Sequence, residues 1–377
     1  MKLLLVTALL TFAVCVAALG CGDDGKGSTT SAEDVPGSFY GVVPQGNISD
    51  VDVDRMGAGN VGTLRLVFPW QALNPTADKD DSLLAAYDPL VLAAANNGIQ
   101  LIPTLYGTPD WVAHDLDGVD CSSEEGVSCV PFAPRSGAAL DAWADFVDEV
   151  VARYGPDGEL WELYADVTPM PIRTWQIWNE QNSYTFFEPA PDPEAYERLL
   201  TTAAEAIRKR DSQAEIILGG MFQTSGRGDH ILANEFLREL YSIEGASDAF
   251  DGVASHPYAA NMEKVEDQVR FLHDEIEAAE DDASLWITEV GASSADGNNP
   301  LELGEQGQAA FLREAFQFFL EKRTEWDIPA VIWYAWRDSA ADGPAVCDWC
   351  MNAGLFVHDA LDPKPSWGAF TSFTGGT

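Results

Sequence analysis

Short apolar and β-branched runs recur along the chain at 39–43, 63–68, 99–105, 174–178, 215–218, 252–255, 285–288 and 330–335. Runs of this length, bounded by turn residues, read as strands. Between them, apolar residues three and four apart at 140–154, 193–210, 230–243, 262–279 and 305–323 predict amphipathic helices. Less regular helical spacing occupies 50–56 and 83–97.

Strand alternating with helix implies a parallel sheet, because each crossover needs a dozen or more residues. Eight such units over roughly 340 residues predict an α/β fold, a single (β/α)8 TIM barrel. A doubly wound open sheet fits less well, since no GxGxxG and no phosphate loop follows any strand. In a barrel, the loops beyond the C-terminal strand ends form the functional face. The longest irregular stretch, 106–137, is expected there as a substrate-facing loop or lid.

Two strand-like runs lead into glutamates, Glu180 in Trp178-Asn179-Glu180-Gln181-Asn182 and Glu289 in Thr288-Glu289-Val290-Gly291. Carboxylates projecting from the ends of different strands are what hydrolysis of a glycosidic bond requires, so these two are the candidate catalytic pair. Arg65 stands inside an apolar run, where a guanidinium needs a carboxylate partner. A glutamate closing a strand is also commonly just solvated. The alternative reading is therefore a barrel lipoprotein that binds carbohydrate without cleaving it.

From Phe39 onward the pattern resembles glycoside hydrolase clan A, the retaining (β/α)8 glycosidases, in a family 39-like or family 5-like form. Residues 178–182 resemble the clan's WNEPN segment, with Gln181 in place of proline, and residues 286–291 resemble its strand-seven nucleophile motif. The resemblance implies a hydrolase of O-glycosyl bonds acting by double displacement, with Glu180 as general acid/base and Glu289 as nucleophile. It also implies Arg65 as the cation beside the nucleophile and Asn179 as partner of the sugar 2-hydroxyl. His256-Pro257-Tyr258 resembles the clan's HxY segment, which implies that Tyr258 orients Glu289 while His256 lines the same subsite. Trp336 is implied as the aromatic floor of the sugar site, with Trp333 the competing choice. Trp70 and Trp111, just beyond strand ends, and Tyr106 are expected to offer flat faces to sugar rings.

Charge narrows the substrate. Lys and Arg number 21 against 61 Asp and Glu, a net charge of -40. Such a field repels nucleic acid and anionic surfaces, so the expected partner is a neutral oligo- or polysaccharide. The acidity reads equally as a solubility device or as adaptation to a saline habitat. The five histidines are scattered with no HExxH pair, and neither cofactor nor metal is expected. Cys121 with Cys129, and Cys347 with Cys350, form local pairs that in an exported chain read as two disulfides. Cys347 and Cys350 also have redox or zinc-knuckle spacing, but no second CxxC completes a metal site.

Residues 1–20 read as a secretory signal, and Ala18-Leu19-Gly20-Cys21 resembles a lipobox that would lipidate Cys21. Residues 21–37, rich in Gly, Ser, Thr and Asp, suit a flexible tether before a catalytic domain at 38–377. The chain is thus expected to be an exported lipoprotein at the cell surface or in the periplasm, touching membrane only through its anchor. Plain secretion is the alternative. Nothing in the sequence speaks to oligomeric state.

Overall fold

The computed structural model describes residues 35–377 apart from 79, 115, 117–118, 123–125, 224–229, 340–346, 348 and 359–360. The expected signal, Cys21 and nearly all of the tether lie outside the described residues. Pro36–Thr377 forms one unit, and it is a closed barrel of eight parallel strands in chain order. The strands are β1 (Tyr40–Val43), β2 (Thr63–Pro69), β3 (Gln100–Tyr106), β4 (Thr174–Ile177), β5 (Glu215–Leu218), β6 (Gly252–Ser255), β7 (Ser284–Val290) and β8 (Val331–Tyr334). Every strand expected from the sequence is present.

The helices are α1 (Asp50–Ala58), α2 (Trp70–Leu73), α3 (Asp81–Ala85), α4 (Asp88–Asn96), α5 (Asp110–Ala113) and α6 (Gly137–Tyr154). They continue with α7 (Glu159–Leu163), α8 (Pro193–Arg210), α9 (Ala233–Tyr241), α10 (Met262–Ala278), α11 (Gly304–Lys322) and α12 (Pro365–Thr374). Polar caps start the long ones: Ser136, Asp192 and Asn261 each accept a first-turn backbone N–H, from Ala139, Ala195 and Lys264. The helical spacing at 83–97 divides into α3 and α4 because Pro89 has no N–H to continue a helix and sits in the first turn of the second.

Side-chain size closes the barrel. Trp286 occupies the interior with Ile102, Ile217, Ala254 and Ile332, and a Cβ on Gly252 would stand 2.8 Å from its ring. A glycine opposite the bulkiest residue fills the space without overpacking. Outside the strands, α12 lays Phe370 and Phe373 against Phe316 of α11, with ring centroids 5.5 and 5.6 Å apart. Among the described residues no helix is long and apolar enough to cross a membrane.

Candidate active site

β4 ends at Ile177 and the chain then turns sharply, with φ of 69° at Trp178 and 44° at Glu180. Left-handed backbone at residues with a Cβ is unfavourable by about 1–3 kcal/mol each and persists only where surroundings enforce it. Here they do. Trp178 donates its backbone N–H to Leu105 at 2.9 Å and its indole N–H to Phe186 at 2.7 Å, and Glu180 donates its N–H to Gly220 at 3.1 Å. Gln181, buried, donates to the Gly219 carbonyl at 3.0 Å. A Cβ on Gly219 would meet Gln181 Oε1 at 2.1 Å, so the glycines that end β5 allow this close approach.

A bulge aims the second glutamate. Ile287 pairs with Val331 and Val290 with Trp333, so three steps along β7 match two along β8. The extra residue breaks strict alternation. Thr288 and Glu289, although adjacent, both face inward: Thr288 accepts from Gln176 at 3.3 Å, and Glu289 accepts from Arg65 at 2.5 Å and from Tyr258 at 2.6 Å.

Arg65 is the hub. It is 1% exposed, and Nη1 donates to Glu289 Oε1, Nη2 to Asn179 Oδ1 at 2.7 Å and Nε to Gln176 Oε1 at 2.5 Å. With the Asn179 carbonyl so engaged, its amide NH2 remains as a donor. His256, fully buried, places Nδ1 2.8 Å from Glu180 Oε1 and 3.6 Å from Glu289 Oε2. One oxygen of each glutamate and a His256 ring nitrogen lie within 4.8 Å of one another.

The two carboxyls are driven apart in acidity. Burial pushes Glu180 up, and the His256 hydrogen bond only partly offsets it. Burial would raise Glu289 as well, but the pull of His256 and Arg65 and the Tyr258 hydrogen bond outweigh it and hold this carboxyl below its usual range. One group favours its proton while its neighbour stays ionised. Tyr258 is itself raised well above an ordinary phenol by burial and by the Glu289 charge, which keeps it a donor.

A cavity of about 580 Å³ opens above the pair. Of the residues singled out in the sequence, Glu180, Glu289, Arg65, Asn179, Tyr258 and Tyr106 line it. His256 lies beneath, reaching the cavity through Glu180. Both disulfides are present, and Cys347 reaches the cavity wall.

Three tryptophans are not where the sequence reading put them. Trp336 is wholly buried, donates to Asp52 Oδ1 at 2.8 Å and packs on Phe356 and Trp367. β8 stops at Tyr334, so strand alternation no longer sets the direction of Trp336. Trp70 opens α2 and packs against Trp143 and Phe146 of α6, and Trp111 in α5 donates to the Asn74 carbonyl at 3.0 Å. Trp333, the competing choice, points outward to Phe311 and Phe316. The aromatic walls of the cavity are instead Tyr334, Trp349, Phe186 and Phe222. Of the described residues in the segment 106–137, expected as a substrate-facing loop or lid, only Tyr106 lines the cavity, and the Thr108 N–H donates to the Val130 carbonyl at 3.0 Å within the segment.

Gln176 was also missed. It is fully buried and joins Arg65, Thr104, Thr288 and the Leu218 carbonyl. A glutamine inside an apolar strand run is the same signal that marked Arg65. As for metals, Glu180, His256 and Glu289 form a group of donors close enough to share an ion, as do His273, Asp274 and Glu277 on α10. In the first group, Arg65 already supplies Glu289 with a positive partner.

No protein-family model and no curated protein matches the sequence. Solved structures do. The chain is similar to a family 39 glycoside hydrolase from the gut symbiont Bacteroides cellulosilyticus WH2, with a TM-score of 0.62 and 20% identity over 91% of this chain, and it spans 64% of that one. It is similar to GH5_18 from Streptomyces cattleya in complex with GlcNAc, with a TM-score of 0.64 and 15% identity over 89% of this chain and 79% of that one. It is similar also to the intracellular xylanase TsXylA of Thermoanaerobacterium saccharolyticum, whose complex holds xylotriose, with a TM-score of 0.58 and 15% identity over 88% and 95% of the two chains. The fold is the (β/α)8 barrel that these glycoside hydrolases share.

Proposed function

We propose that the protein is a retaining glycoside hydrolase acting on a neutral oligo- or polysaccharide. The observation that carries this reading is the placing in one cavity of two glutamates, pushed in opposite directions of acidity, with one carboxylate oxygen of each no more than 4.8 Å from the other. Retaining enzymes hold their carboxyls about 5–5.5 Å apart, whereas inverting ones leave about 6.5–9.5 Å for a water.

Glu289 attacks the anomeric carbon as the glycosidic C–O bond breaks, and the Glu180 proton passes to the departing oxygen. Glu180 then takes a proton from water, whose oxygen displaces the Glu289 carboxylate. Tyr258 and Arg65 hold the attacking oxygens, and the Asn179 amide is placed to donate to the adjacent hydroxyl. Trapping with a 2-fluoro aryl glycoside and mass spectrometry tests the scheme: the label is expected on the peptide holding Glu289. Near-wild-type turnover by both Glu180→Gln and Glu289→Gln would favour the alternative of a barrel that binds glycan without cutting it.

We propose further that the chain is exported and anchored through a lipid on Cys21, as its lipobox-like segment indicates. A labelled fatty acid is then expected to be incorporated into the wild-type chain and not into a Cys21→Ala variant.

A further inference from the structure

Cys347 and Cys350 have the spacing of a redox pair, and the fold sets their disulfide at the edge of the reaction cavity. Cys347 is half-buried and forms part of the cavity wall, while Cys350 is buried. The other bridge is placed differently. Cys121 and Cys129 are both buried, pack with Ala113, Val119 and Phe132, and line no part of that cavity. Thiol–disulfide exchange needs a thiolate to reach a sulfur, and exposed disulfides are the labile ones. Of the two bridges, Cys347–Cys350 meets that condition, and the cavity above Glu180 and Glu289 is its approach.

The bridge also holds part of the cavity in place. Trp349 stands between the two cysteines at the start of a 3-10 turn, Trp349–Asn352, and its ring in the cavity wall lies 4.9 Å from that of Tyr258 and 6.0 Å from that of Tyr334. Tyr258 in turn donates to Glu289 at 2.6 Å. The far end of the turn is fastened through its main chain: the Ser339 N–H donates to the Met351 carbonyl at 3.0 Å and the Ser294 N–H to the Asn352 carbonyl at 2.9 Å. The Cys350 carbonyl accepts from Gln45 Nε2 at 2.7 Å, and Gln45, another residue of the cavity wall, accepts from Ser339 Oγ at 2.7 Å. The disulfide ties the Cys347 side of Trp349 to this fastened end. Opening the bridge frees that side from the anchorage.

We propose that Cys347–Cys350 is a thiol–disulfide exchange site facing the catalytic cavity, which takes a small dithiol and whose reduction loosens Trp349. A thiolate of the dithiol attacks Cys347 Sγ, the S–S bond breaks, and Cys350 leaves with the bonding electrons. The second thiolate of the reductant then attacks its own bound sulfur and releases Cys347. Two electrons have passed from the dithiol, which departs as a cyclic disulfide, and each cysteine ends with a proton that the dithiol gave up. A disulfide in excess reverses the exchange. The effect on turnover rests on the hydrolase reading above: the bridged form is the fully active one, because it holds Trp349 against the phenol that orients Glu289.

The test treats the folded protein with dithiothreitol in the absence of denaturant, alkylates it with iodoacetamide and locates the label by mass spectrometry. Label is expected on Cys347 and Cys350 and not on Cys121 or Cys129. With 4-nitrophenyl β-xyloside, β-glucoside and β-mannoside as substrates, reduction is expected to lower the highest kcat/KM on the order of tenfold, which corresponds to about 1.4 kcal/mol, the scale of a lost ring contact. Oxidised glutathione is expected to restore it. The acid limb of the profile should move to higher pH in the reduced protein, because the Tyr258 hydrogen bond lowers the Glu289 value. Cys347→Ser with Cys350→Ser should start at the reduced level and ignore the reductant, whereas Cys121→Ser with Cys129→Ser should keep the full response. The reduced wild type stands in for the first pair of substitutions where that chain does not fold. Equal labelling of the two bridges, or labelling only in urea, overturns the exchange site, and labelled Cys347 and Cys350 with kcat/KM unmoved overturns its hold on the cavity. Absence of turnover on every glycoside overturns the hydrolase reading, and the labelling by itself then decides the exchange site.

Discussion

Gly220 and His256 touch so closely that a Cβ on the glycine would stand 1.9 Å from the histidine Nε2. The ring is thereby fixed from behind, and its other nitrogen is presented to Glu180 at 2.8 Å. The histidine's position is set by a missing side chain on a neighbouring strand end.

Gly220→Ala is therefore expected to displace the ring and weaken its hold on Glu180. Because His256 lowers the affinity of Glu180 for its proton, its withdrawal raises that affinity further. The alkaline limb of the kcat/KM profile should move to higher pH as kcat falls. A profile identical to wild type would show that His256 is only filler.

The wild-type pH profile is expected to be bell-shaped. Activity requires Glu289 ionised and Glu180 protonated, so it is lost as pH falls through the depressed Glu289 value and as pH rises through the elevated Glu180 value. Glu180→Gln should flatten the alkaline limb for substrates with a phenolate leaving group, which depart without a proton.

Tyr258→Phe removes the donor to Glu289 Oε2. A hydrogen bond to a charged group contributes about 1.5–3 kcal/mol, so kcat should drop on the order of 10- to 100-fold. The acid limb should shift upward, since the lost bond was lowering the Glu289 value. A loss of activity without that shift would mean that the phenol acts on substrate alone.

Arg65→Met leaves Glu289 buried without its cation, and breaking such a pair costs about 3–5 kcal/mol of folding stability, measurable by urea denaturation. The sign in pH follows from the depressed value: the Glu289 contribution is present above its unfolded value of about 4.3 and is lost as pH falls through the folded one. The variant should lack that acid-side decline.

Cys121→Ser with Cys129→Ser opens a loop with a sequence separation of 8, for which chain entropy gives ~2.5 kcal/mol. Neither residue lines the cavity, so Tm is expected to fall with kcat/KM unchanged.

The architecture was legible because each strand is a short apolar run set off by helical spacing, and periodicity needs only neighbours in sequence. Glu180, Glu289 and Arg65 were legible for a related reason: a charged residue inside or at the end of such a run has few places to go. The tryptophans were not. A ring one or two residues past a strand end has its direction set by whatever follows, and α2 and α5 turn Trp70 and Trp111 away from the cavity. Trp349 reaches the cavity from a 3-10 turn, Trp349–Asn352, well beyond the last strand, where no local pattern announces it. Gln176 carried a signal that the emphasis on charge passed over.

The irregular step in β7 makes the position of the reactive oxygen depend on a count of residues rather than on their identity. Removing Thr288 would restore even pairing with β8 and draw Glu289 back along the strand by one residue, about 3.3 Å, away from Tyr258 and Glu180. Point substitutions along that stretch would not reveal this, whereas single-residue deletions should abolish turnover in a folded protein.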